Sequence, residues 1–386
     1  MKQMLNDGTS PRPMEPLLGG AHMQVTLYLD TDQDLYHTSY VHAGVFGLAA
    51  HSDVELELRA PTTDTWRKAR AGSVCVFLDV RAPDGTLLPL AIDLRDRSNV
   101  FDESVLENVA VYFKRSHHLA DVAKLSPALR EKVLPFGMNF VCANAPSASA
   151  VSAQVLRRIA LKVSGRTGGA GTVKSLMRKL YDYWRYRRES DYTAAPDTPK
   201  TAAVLFQTRI WEDHEARWDD PDAINDQRVR LVRALKQGLH ERFCGGLVPT
   251  PLALRRHPDL VTERRVSPAA FARWQRGLLI GVYTRGLHYS TAWKLGEYFA
   301  ASMCVVAEPP RNQLPVPLTE GVEFLAFASP DECISACESI LANPDLQRTM
   351  RAAAYDYYQR EVAPEAHLRS CLTRAIALQE SVAAGP

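Results

Sequence analysis

Hydrophobic and polar positions at the start of the chain follow a pattern that predicts strand, helix and strand. Residues 24–30 interleave apolar and polar side chains, which is typical of a strand with one buried face. Residues 41–50 fit a helix, and residues 54–58 alternate again as a strand does. This opening predicts a doubly wound α/β sheet.

Two more apolar runs follow, at residues 74–80 and 87–94. The segment between them contains Pro-Asp-Gly at residues 83–85, which is a turn signal. We therefore predict a hairpin at one edge of the sheet. A short helix is predicted to start at residues 101–104, and a strand is predicted over residues 110–113.

Charged side chains follow two of these strands. The hairpin ends in a segment with Asp96, and the strand over 110–113 is followed by Lys114, Arg115 and two histidines. Ligands of open α/β sheets bind outside the carboxyl ends of the strands, so both segments are candidates for function. The alternative for each is an ordinary solvated loop, and the sequence leaves it open.

The same alternation returns in the second half of the chain, after a proline-bearing linker at residues 191–199. Strands are predicted at 201–206, 278–283, 303–307 and 324–327, and helices at 225–242, 267–276, 293–301, 344–361 and 366–381. A chain of 386 residues is too long for one ordinary core. We therefore predict two α/β domains, over residues 23–190 and 200–364.

A basic segment lies between the two halves. Residues 151–190 carry ten lysines and arginines against two acidic residues, with tyrosines and a tryptophan between them. We favour a solvated pair of amphipathic helices, broken at 165–171, with Met177, Leu180 and Trp184 packed inward. A membrane-surface helix is the second interpretation and nucleic-acid binding the third.

Composition narrows the class of protein. Hydrophobic residues make up 46% and charged residues 23% of the chain, as in soluble globular proteins. The formal net charge of +2 gives no overall attraction to nucleic acid. Seven scattered cysteines without a CxxC pair indicate a reduced, cytoplasmic protein and no zinc site. Residues 1–22 lack the apolar centre of a signal peptide and are predicted to be disordered.

The strongest candidate for chemistry is the segment from residue 284 to residue 310. A glycine-containing loop leads into the helix at 293–301, where Ser290 and Thr291 are predicted to cap the first turn. The free N–H groups of a helix start attract phosphate. Lys294 and Glu297 lie three residues apart and therefore share one face of the helix. The lysine is suited to bind a phosphate there, and the glutamate to accept hydrogen bonds from two ribose hydroxyls. The alternative is a solvated Lys–Glu pair on an unremarkable helix.

This segment resembles a known family. Residues 297–306, EYFAASMCVV, are similar to the EAMAxGxPVV segment of GT-B glycosyltransferases, which have two Rossmann-like domains and use nucleotide sugars. The similarity continues through EPP, PLTEGVEFLAF and SPDE, as in bacterial polysaccharide-type members, and covers roughly the last 110 residues. Three positions depart from the family pattern: Tyr289 replaces a glutamate of retaining members, Ser302 a glycine and Cys304 a proline.

The resemblance implies two α/β domains that face each other across a cleft, with a final helix in residues 365–386 that crosses back to the first domain. It implies donor-binding residues in the second domain: Arg209, Arg217, Gly286, His288, Ser290, Thr291, Lys294 and Glu297. It also implies an acceptor site against the first domain, with Gly44, Lys114 and Arg115 as candidates and His42 or Asp96 as the catalytic base.

The implied function is transfer of a sugar from a nucleotide-sugar donor to a hydroxyl, without a metal or other cofactor, in bacterial-type glycan or polysaccharide biosynthesis. The expected partners are the donor and a glycan or lipid-linked acceptor, with peripheral contact at the inner face of a membrane and no nucleic acid. Two alternatives stay open. One is an inactive nucleotide-binding scaffold, and the other is a membrane- or RNA-bound regulator that uses residues 151–190.

Overall fold

A computed structural model describes residues 23–51, 54–61, 67, 74–82, 84–165, 172–216, 221–264 and 267–384. The segment 1–22, for which disorder is predicted, and the candidate donor residue Arg217 lie outside these residues.

Six strands form the sheet of the first domain. They are β1 (Met23–Tyr28), β2 (Val54–Arg59), β3 (Cys75–Arg81), β4 (Leu87–Asp93), β5 (Val111–Lys114) and β6 (Val133–Pro135). Their order is β2-β1-β3-β4-β5-β6, and all run parallel except β3, which is antiparallel to both β1 and β4. The carboxyl ends of the five parallel strands therefore share one edge of the sheet.

The predicted hairpin forms, but its predicted position at a sheet edge is wrong. Strand β3 lies in the middle of the sheet, between β1 and β4. Every residue of β3 except Arg81 is buried. An apolar strand of this kind is stabilised by neighbours on both sides, whereas edge strands are protected by polar or charged side chains.

Seven helices belong to the first domain. They are α1 (Leu35–Ala50), α2 (Glu103–Asn108), α3 (Leu119–Val122), α4 (Pro127–Arg130), α5 (Ala145–Val163), α6 (Val173–Trp184) and α7 (Glu189–Tyr192). Helix α1 begins six residues before the predicted start because the Asp34 carboxylate caps it, accepting from the amides of Tyr36 at 3.1 Å and His37 at 3.3 Å. His42 and Gly44 consequently lie in the middle of the helix and not near its start, beside the loop.

Helix α6 packs differently from the prediction. Met177 and Trp184 are exposed, so their predicted inward packing is wrong. The buried face of α6 is formed by Leu176 and Tyr183, with the half-buried Leu180 beside them, and it packs on a cluster that includes α5 and the start of α1. Sequence periodicity predicted the helix, but it assigned Met177 and Trp184 to the buried face beside Leu180 instead of Leu176 and Tyr183.

Five strands form the sheet of the second domain, and all are parallel. They are β7 (Thr201–Thr208), β8 (Phe243–Leu247), β9 (Leu278–Tyr283), β10 (Cys304–Ala307) and β11 (Phe324–Ala326), in the order β11-β10-β9-β7-β8. The chain reverses its direction of winding between β7 and β9, and ligands of such sheets bind at that point. The predicted fold of two Rossmann-like α/β domains is confirmed.

Helices cover both faces of this sheet and close the chain. They are α8 (Asp213–Ala216), α9 (Pro221–Leu239), α10 (Pro251–Arg256), α11 (Pro268–Gln275), α12 (Lys294–Ala300), α13 (Pro330–Ala342), α14 (Pro344–Tyr357) and α15 (Pro364–Ala384). A short π-helix, Tyr358–Val362, joins α14 to α15. Among the helices of the described residues, none is long and apolar enough to span a membrane.

Helix α15 lies against α1 of the first domain. The Tyr40 hydroxyl is 2.6 Å from the Val362 carbonyl oxygen and 2.8 Å from Nδ1 of His367. Nε2 of His367 donates to the Phe136 carbonyl oxygen at 2.6 Å. Burial lowers the pKa of His367 to about 4, so the ring is neutral and acts as a fixed link between the domains.

Candidate active site between the two domains

The start of α1 and the start of α12 meet where the strand ends of the two sheets face each other. The ring of Trp293, just before α12, lies 5.4 Å from the ring of Tyr36 and 5.1 Å from the ring of His37. Most of the predicted site residues lie on the loops and helix starts around this junction.

The start of α12 is built differently from the prediction. Its N-cap is Trp293 and makes no side-chain cap, so the predicted capping by Ser290 and Thr291 is wrong. Both residues are buried in the preceding loop, where the Gly286 amide donates to the Ser290 carbonyl oxygen at 2.8 Å. The loop is tight enough to hold His288 in the left-handed region at φ 58°.

Glu297 is buried at the domain junction. Its Oε1 lies 3.6 Å from a guanidinium nitrogen of Arg187 in the first domain, and its Oε2 accepts from the Gln275 amide at 3.3 Å. Both carboxylate oxygens therefore already have partners. A ribose that binds Glu297 must share or replace these two contacts.

Lys294 lies one helical turn from Glu297 and is half-buried. Its Nζ is 4.8 Å from the centre of the Phe271 ring. Burial lowers the pKa of Lys294, while the charge of Glu297 opposes that shift. The ammonium group is thus kept close to the helix start in a partly desolvated environment.

Arg115 joins predicted residues of both domains. One of its nitrogens pairs with Asp96, and the other donates to the Thr291 carbonyl oxygen at 2.7 Å. The guanidinium also lies 5.9 Å from the centre of the Trp293 ring. A candidate base, an acceptor candidate and a donor candidate, which are far apart in the sequence, are therefore neighbours in the structure.

Lys114, the residue before Arg115, points into the first domain. Its Nζ donates to Asp93 and to the Val100 carbonyl oxygen, both at 2.8 Å, and the side chain is fully buried. Burial lowers the pKa of Lys114, and the Asp93 carboxylate opposes that shift. In this conformation Lys114 is an internal ion-pair partner and does not face the junction.

Arg209 follows β7, beside the point where the sheet reverses. It pairs with Glu215 and stacks over the Trp211 ring, with 4.3 Å between the guanidinium carbon and the ring centre. Its carbonyl oxygen accepts from Arg228 at 2.6 Å. Arg209 therefore lies at the expected strand exit, although its charge is partly balanced there.

Two predicted residues of α1 are enclosed by packing. His42 is fully buried, neither ring nitrogen has a hydrogen-bond partner, and burial lowers its pKa to about 4. A Cβ at Gly44 would lie 2.8 Å from the Leu368 side chain and closer still to the Pro364 carbonyl oxygen. The glycine allows α1 and α15 to approach each other.

The sequence reasoning did not select the pair of Asp34 and His37. Nδ1 of His37 lies 2.8 Å from Asp34 Oδ2, and both side chains are about one-third exposed, at 33% and 36%. Burial alone would raise the pKa of Asp34, but the hydrogen bond and charge of His37 and two backbone amides bring it below its ordinary value. An Asp at an N-cap with a His three residues later was the available signal.

Tyr289 and the arginines beside it form a second feature that the sequence left unassigned. Tyr289 adopts φ 59° and is exposed, and the guanidinium carbons of Arg285 and Arg311 lie 4.0 and 4.8 Å from its ring centre. Arg285 is paired with Glu308 at 3.5 Å. Arg311 lies 3.3 Å from Nδ1 of His118 in the first domain and has no carboxylate partner among the described residues.

Residues 227–373 match a protein family described as glycosyl transferase-like. These residues contain α12, Glu297 and the strands on both sides of them. This part of the second domain is similar to the glycosyl transferase-like family. The resemblance predicted from residues 297–306 is thereby confirmed over the matched residues. A comparison with curated proteins gives no match.

The solved structures to which this chain is similar are distant. A glycosyltransferase from Rickettsia africae is 12% identical, with 92% of this chain and 98% of that chain covered and a TM-score of 0.36. The C-terminal domain of a group 1 glycosyl transferase from Francisella tularensis is 13% identical, with 44% and 94% covered and a TM-score of 0.32.

A UDP-GlcNAc 2-epimerase from Neisseria meningitidis, whose structure was solved with UDP-GlcNAc bound, is 12% identical to this chain, with a TM-score of 0.34. The comparison covers 71% of this chain and 63% of the epimerase. Likenesses this distant do not extend to activity or substrate.

Proposed function

We propose that this chain transfers a sugar from a nucleotide-sugar donor to a hydroxyl of a glycan or lipid-linked acceptor, as in bacterial-type polysaccharide assembly. One observation carries the proposal. Lys294 and Glu297 lie in the first turn of α12, in the part of the chain that matches the glycosyl transferase-like family. The ring of Trp293, which precedes this helix, lies 5.1 Å from the ring of His37 in the first domain. A donor held by the second domain is thus next to a partly exposed His–Asp pair.

On the donor side, the pyrophosphate binds at the loop formed by Gly286, His288, Ser290 and Thr291. Lys294, Arg209 and Arg311, the last without a carboxylate partner among the described residues, balance the charge that develops on the leaving diphosphate, so no metal is needed. Glu297 accepts the ribose hydroxyls after exchanging its contact with Gln275. Two observations support this assignment. One is the family match, and the other is that these residues follow strands of the parallel sheet or lie where the next helices begin.

On the acceptor side, His37 acts as the general base in place of the enclosed His42. With Nδ1–H donated to Asp34, Nε2 carries the lone pair that accepts the proton of the acceptor hydroxyl. The hydroxyl oxygen then forms a bond to the anomeric carbon as the bond from that carbon to the diphosphate oxygen breaks. Asp34 stabilises the imidazolium, and the sugar is transferred with inversion. Asp96 holds Arg115 against the Thr291 carbonyl.

The test is a panel of nucleoside diphosphates and nucleotide sugars. A binding ligand raises the melting temperature, because it prefers the folded state, and a true donor also releases nucleoside diphosphate slowly in water. Turnover that survives EDTA and is lost in Glu297→Ala and Arg209→Ala supports the enzyme. The matched controls are the exposed residues Glu338→Ala and Arg348→Ala. Binding without turnover across the panel favours the inactive scaffold, and the absence of binding contradicts both.

A further inference from the structure

Helix α6 presents an apolar stripe to the solvent. The stripe consists of Val173, Met177, Tyr181 and Trp184, spaced four, four and three residues apart, so all four lie on one side of the helix. Met177 is 48%, Tyr181 59% and Trp184 49% exposed. Exposed apolar residues are ordinary when scattered, but a contiguous stripe marks an interaction surface.

The antiparallel neighbour α5 adds to the same region. It exposes Leu156 and Val163, and the Trp184 indole donates to the Ser152 hydroxyl on α5 at 2.8 Å. Six of the thirteen exposed large apolar side chains among the described residues lie on these two helices. The core of the first domain cannot take up the stripe, because Leu176 and Tyr183 already form the buried face of α6.

Cations border the stripe. Lys174, Arg178 and Arg185 each come one residue after a member of the stripe, and Arg157 is exposed on α5. Asp182, which pairs with Arg178 at 3.6 Å, is the one acidic residue in segments 145–165 and 172–188. The Arg185 guanidinium lies 5.0 Å from the centre of the Tyr181 ring. An apolar stripe beside cations matches a surface that is negative outside and apolar beneath.

The two helices are also tied to the candidate active site. Lys179 Nζ donates to the carbonyl oxygens of Thr31 and Gln33, at 2.6 and 3.0 Å, in the loop between β1 and α1. Arg158 pairs with Asp32 of the same loop at 2.9 Å. Directly after α6, the guanidinium of Arg187 reaches Glu297. Whatever binds the stripe is therefore held beside the loop that leads to Asp34 and His37.

We propose that the exposed face of α5 and α6 docks the protein onto an anionic lipid bilayer. The docked bilayer then presents a lipid-linked acceptor to His37. This consequence rests on the proposed glycosyl transfer, whereas the docking itself is independent of it. A lipid partner fits better than RNA. Aliphatic Val173 and Met177 bury in acyl chains but offer no ring for base stacking, and the Tyr181 ring is already next to Arg185.

Co-sedimentation of the full chain with vesicles tests the docking. We expect binding to vesicles of mixed phosphatidylcholine and phosphatidylglycerol that weakens with added salt, and no binding to pure phosphatidylcholine. The variant Met177→Ser/Tyr181→Ser/Trp184→Ser loses at least about tenfold in binding. The matched control Leu119→Ser/Leu254→Ser/Val322→Ser, which replaces three exposed apolar residues elsewhere, binds like the original protein.

A charge series separates the two contributions. Replacing Arg157, Lys174 and Arg185 by Ala weakens vesicle binding about 100-fold, since each cation near an anionic surface contributes about fivefold. The control Arg230→Ala/Arg233→Ala/Arg348→Ala removes three exposed cations of other helices and leaves binding unchanged.

The proposal is overturned if phosphatidylglycerol vesicles do not bind, if the serine variant binds as the original does, or if single-stranded RNA competes the protein off the vesicles. Donor binding is measured in the same variants without vesicles. Retained donor binding together with lost vesicle binding supports the docking surface. Retained donor binding with no vesicle binding in any variant removes the docking surface but leaves the glycosyl transfer standing.

Discussion

The two histidines of α1 differ in burial and in their partners. His37 is partly exposed, bonded to Asp34 and close to Trp293, whereas His42 is enclosed and has no partner. A base must come within hydrogen-bond reach of the acceptor hydroxyl, and of these two histidines only His37 is exposed enough for an acceptor to approach it.

We predict that His37→Gln lowers the rate of sugar transfer by about 100-fold or more, because glutamine keeps a polar side chain but cannot accept the proton. The rate is measured with the donor found in the panel. His214→Gln, at an exposed position on α8, is the control. An unchanged rate in His37→Gln would contradict the assignment.

His42 gives a prediction about stability. Burial lowers its pKa to about 4, so between pH 6.5 and about 4 the unfolded chain binds a proton that the folded protein does not. The free energy of unfolding therefore falls as the pH is lowered through this window, by up to about 3 kcal/mol for this residue. Above pH 6.5 the contribution of His42 to the free energy of unfolding is fully present.

We predict that His42→Leu reduces the loss of stability between pH 7 and pH 4 by up to about 3 kcal/mol, the share that His42 contributes. His367 is also buried and has a pKa lowered to about 4, so it keeps its own share. Urea unfolding at several pH values measures the difference, with His214→Leu as the exposed control. If His42→Leu and the original protein lose equal stability, then His42 is not the buried neutral residue described.

At the scale of elements, local patterns predicted most of the fold, and contacts between distant segments explain the errors. The periodicity located the strands and helices around Glu297 because helix and strand preferences act over a few residues. The position of β3 depends on its pairing with β1, more than 40 residues earlier in the chain, which no local pattern records. The exposure of Met177 and the enclosure of His42 likewise depend on what packs against α6 and α1.

The candidate site was predictable to the same extent. Lys294, Glu297 and Arg209 were found from strand exits, a helix start and a family pattern. Their partners Arg187 and Gln275 were not, because Arg187 comes from another domain and carries no motif. The pair of Asp34 and His37 was overlooked because the predicted helix started after it.

The end of α12 explains one departure from the family pattern. Ser302 follows the helix and adopts φ 47°, the left-handed conformation that glycine takes most easily. Its hydroxyl donates to the Ala195 carbonyl oxygen at 3.1 Å, and its own carbonyl accepts from Arg351 at 3.2 Å. The serine therefore ties the helix end to the linker between the domains while tolerating the strained backbone.

We predict that Ser302→Val lowers the free energy of unfolding by about 2 kcal/mol, since a β-branched side chain fits poorly at positive φ. Ser302→Gly should change it by less than about 1 kcal/mol, because relief of backbone strain offsets the lost hydrogen bond. Urea unfolding compares the two variants. Equal stabilities of the valine and glycine variants would show that the backbone is not held in this conformation.

For the molecule as a whole, the two domains form a single packed unit. One apolar cluster contains residues of both domains, including Phe140 from the first and Tyr358 after α14. The Gln313 amide donates to the His117 carbonyl oxygen at 2.7 Å, and Arg115, two residues before His117, donates to the Thr291 carbonyl oxygen at 2.7 Å. The candidate site thus lies between parts that already contact each other, and the proposed donor binding at Glu297 requires some of these contacts to rearrange.

Helix α15 is the largest of these connections, and two glycines of α1 test it. A methyl group at Gly44 would meet the Pro364 carbonyl and, at 2.8 Å, Leu368, neither of which can move without shifting α15. A methyl group at Gly47 would meet the flexible end of Glu365 at 3.1 Å. The two positions lie in the same helix and face the same partner, so they form a matched pair.

We predict that Gly44→Ala lowers the free energy of unfolding by about 2 kcal/mol, because overpacking outweighs the gain of about 1 kcal/mol in helix propensity. Gly47→Ala should be neutral or stabilising by up to about 1 kcal/mol, since the Glu365 side chain can turn away. Urea unfolding measures both, and limited proteolysis should cut α15 faster in Gly44→Ala than in Gly47→Ala. If the two variants are equally stable and equally resistant, α15 does not pack on α1 as closely as its contacts with Tyr40 and Gly44 require.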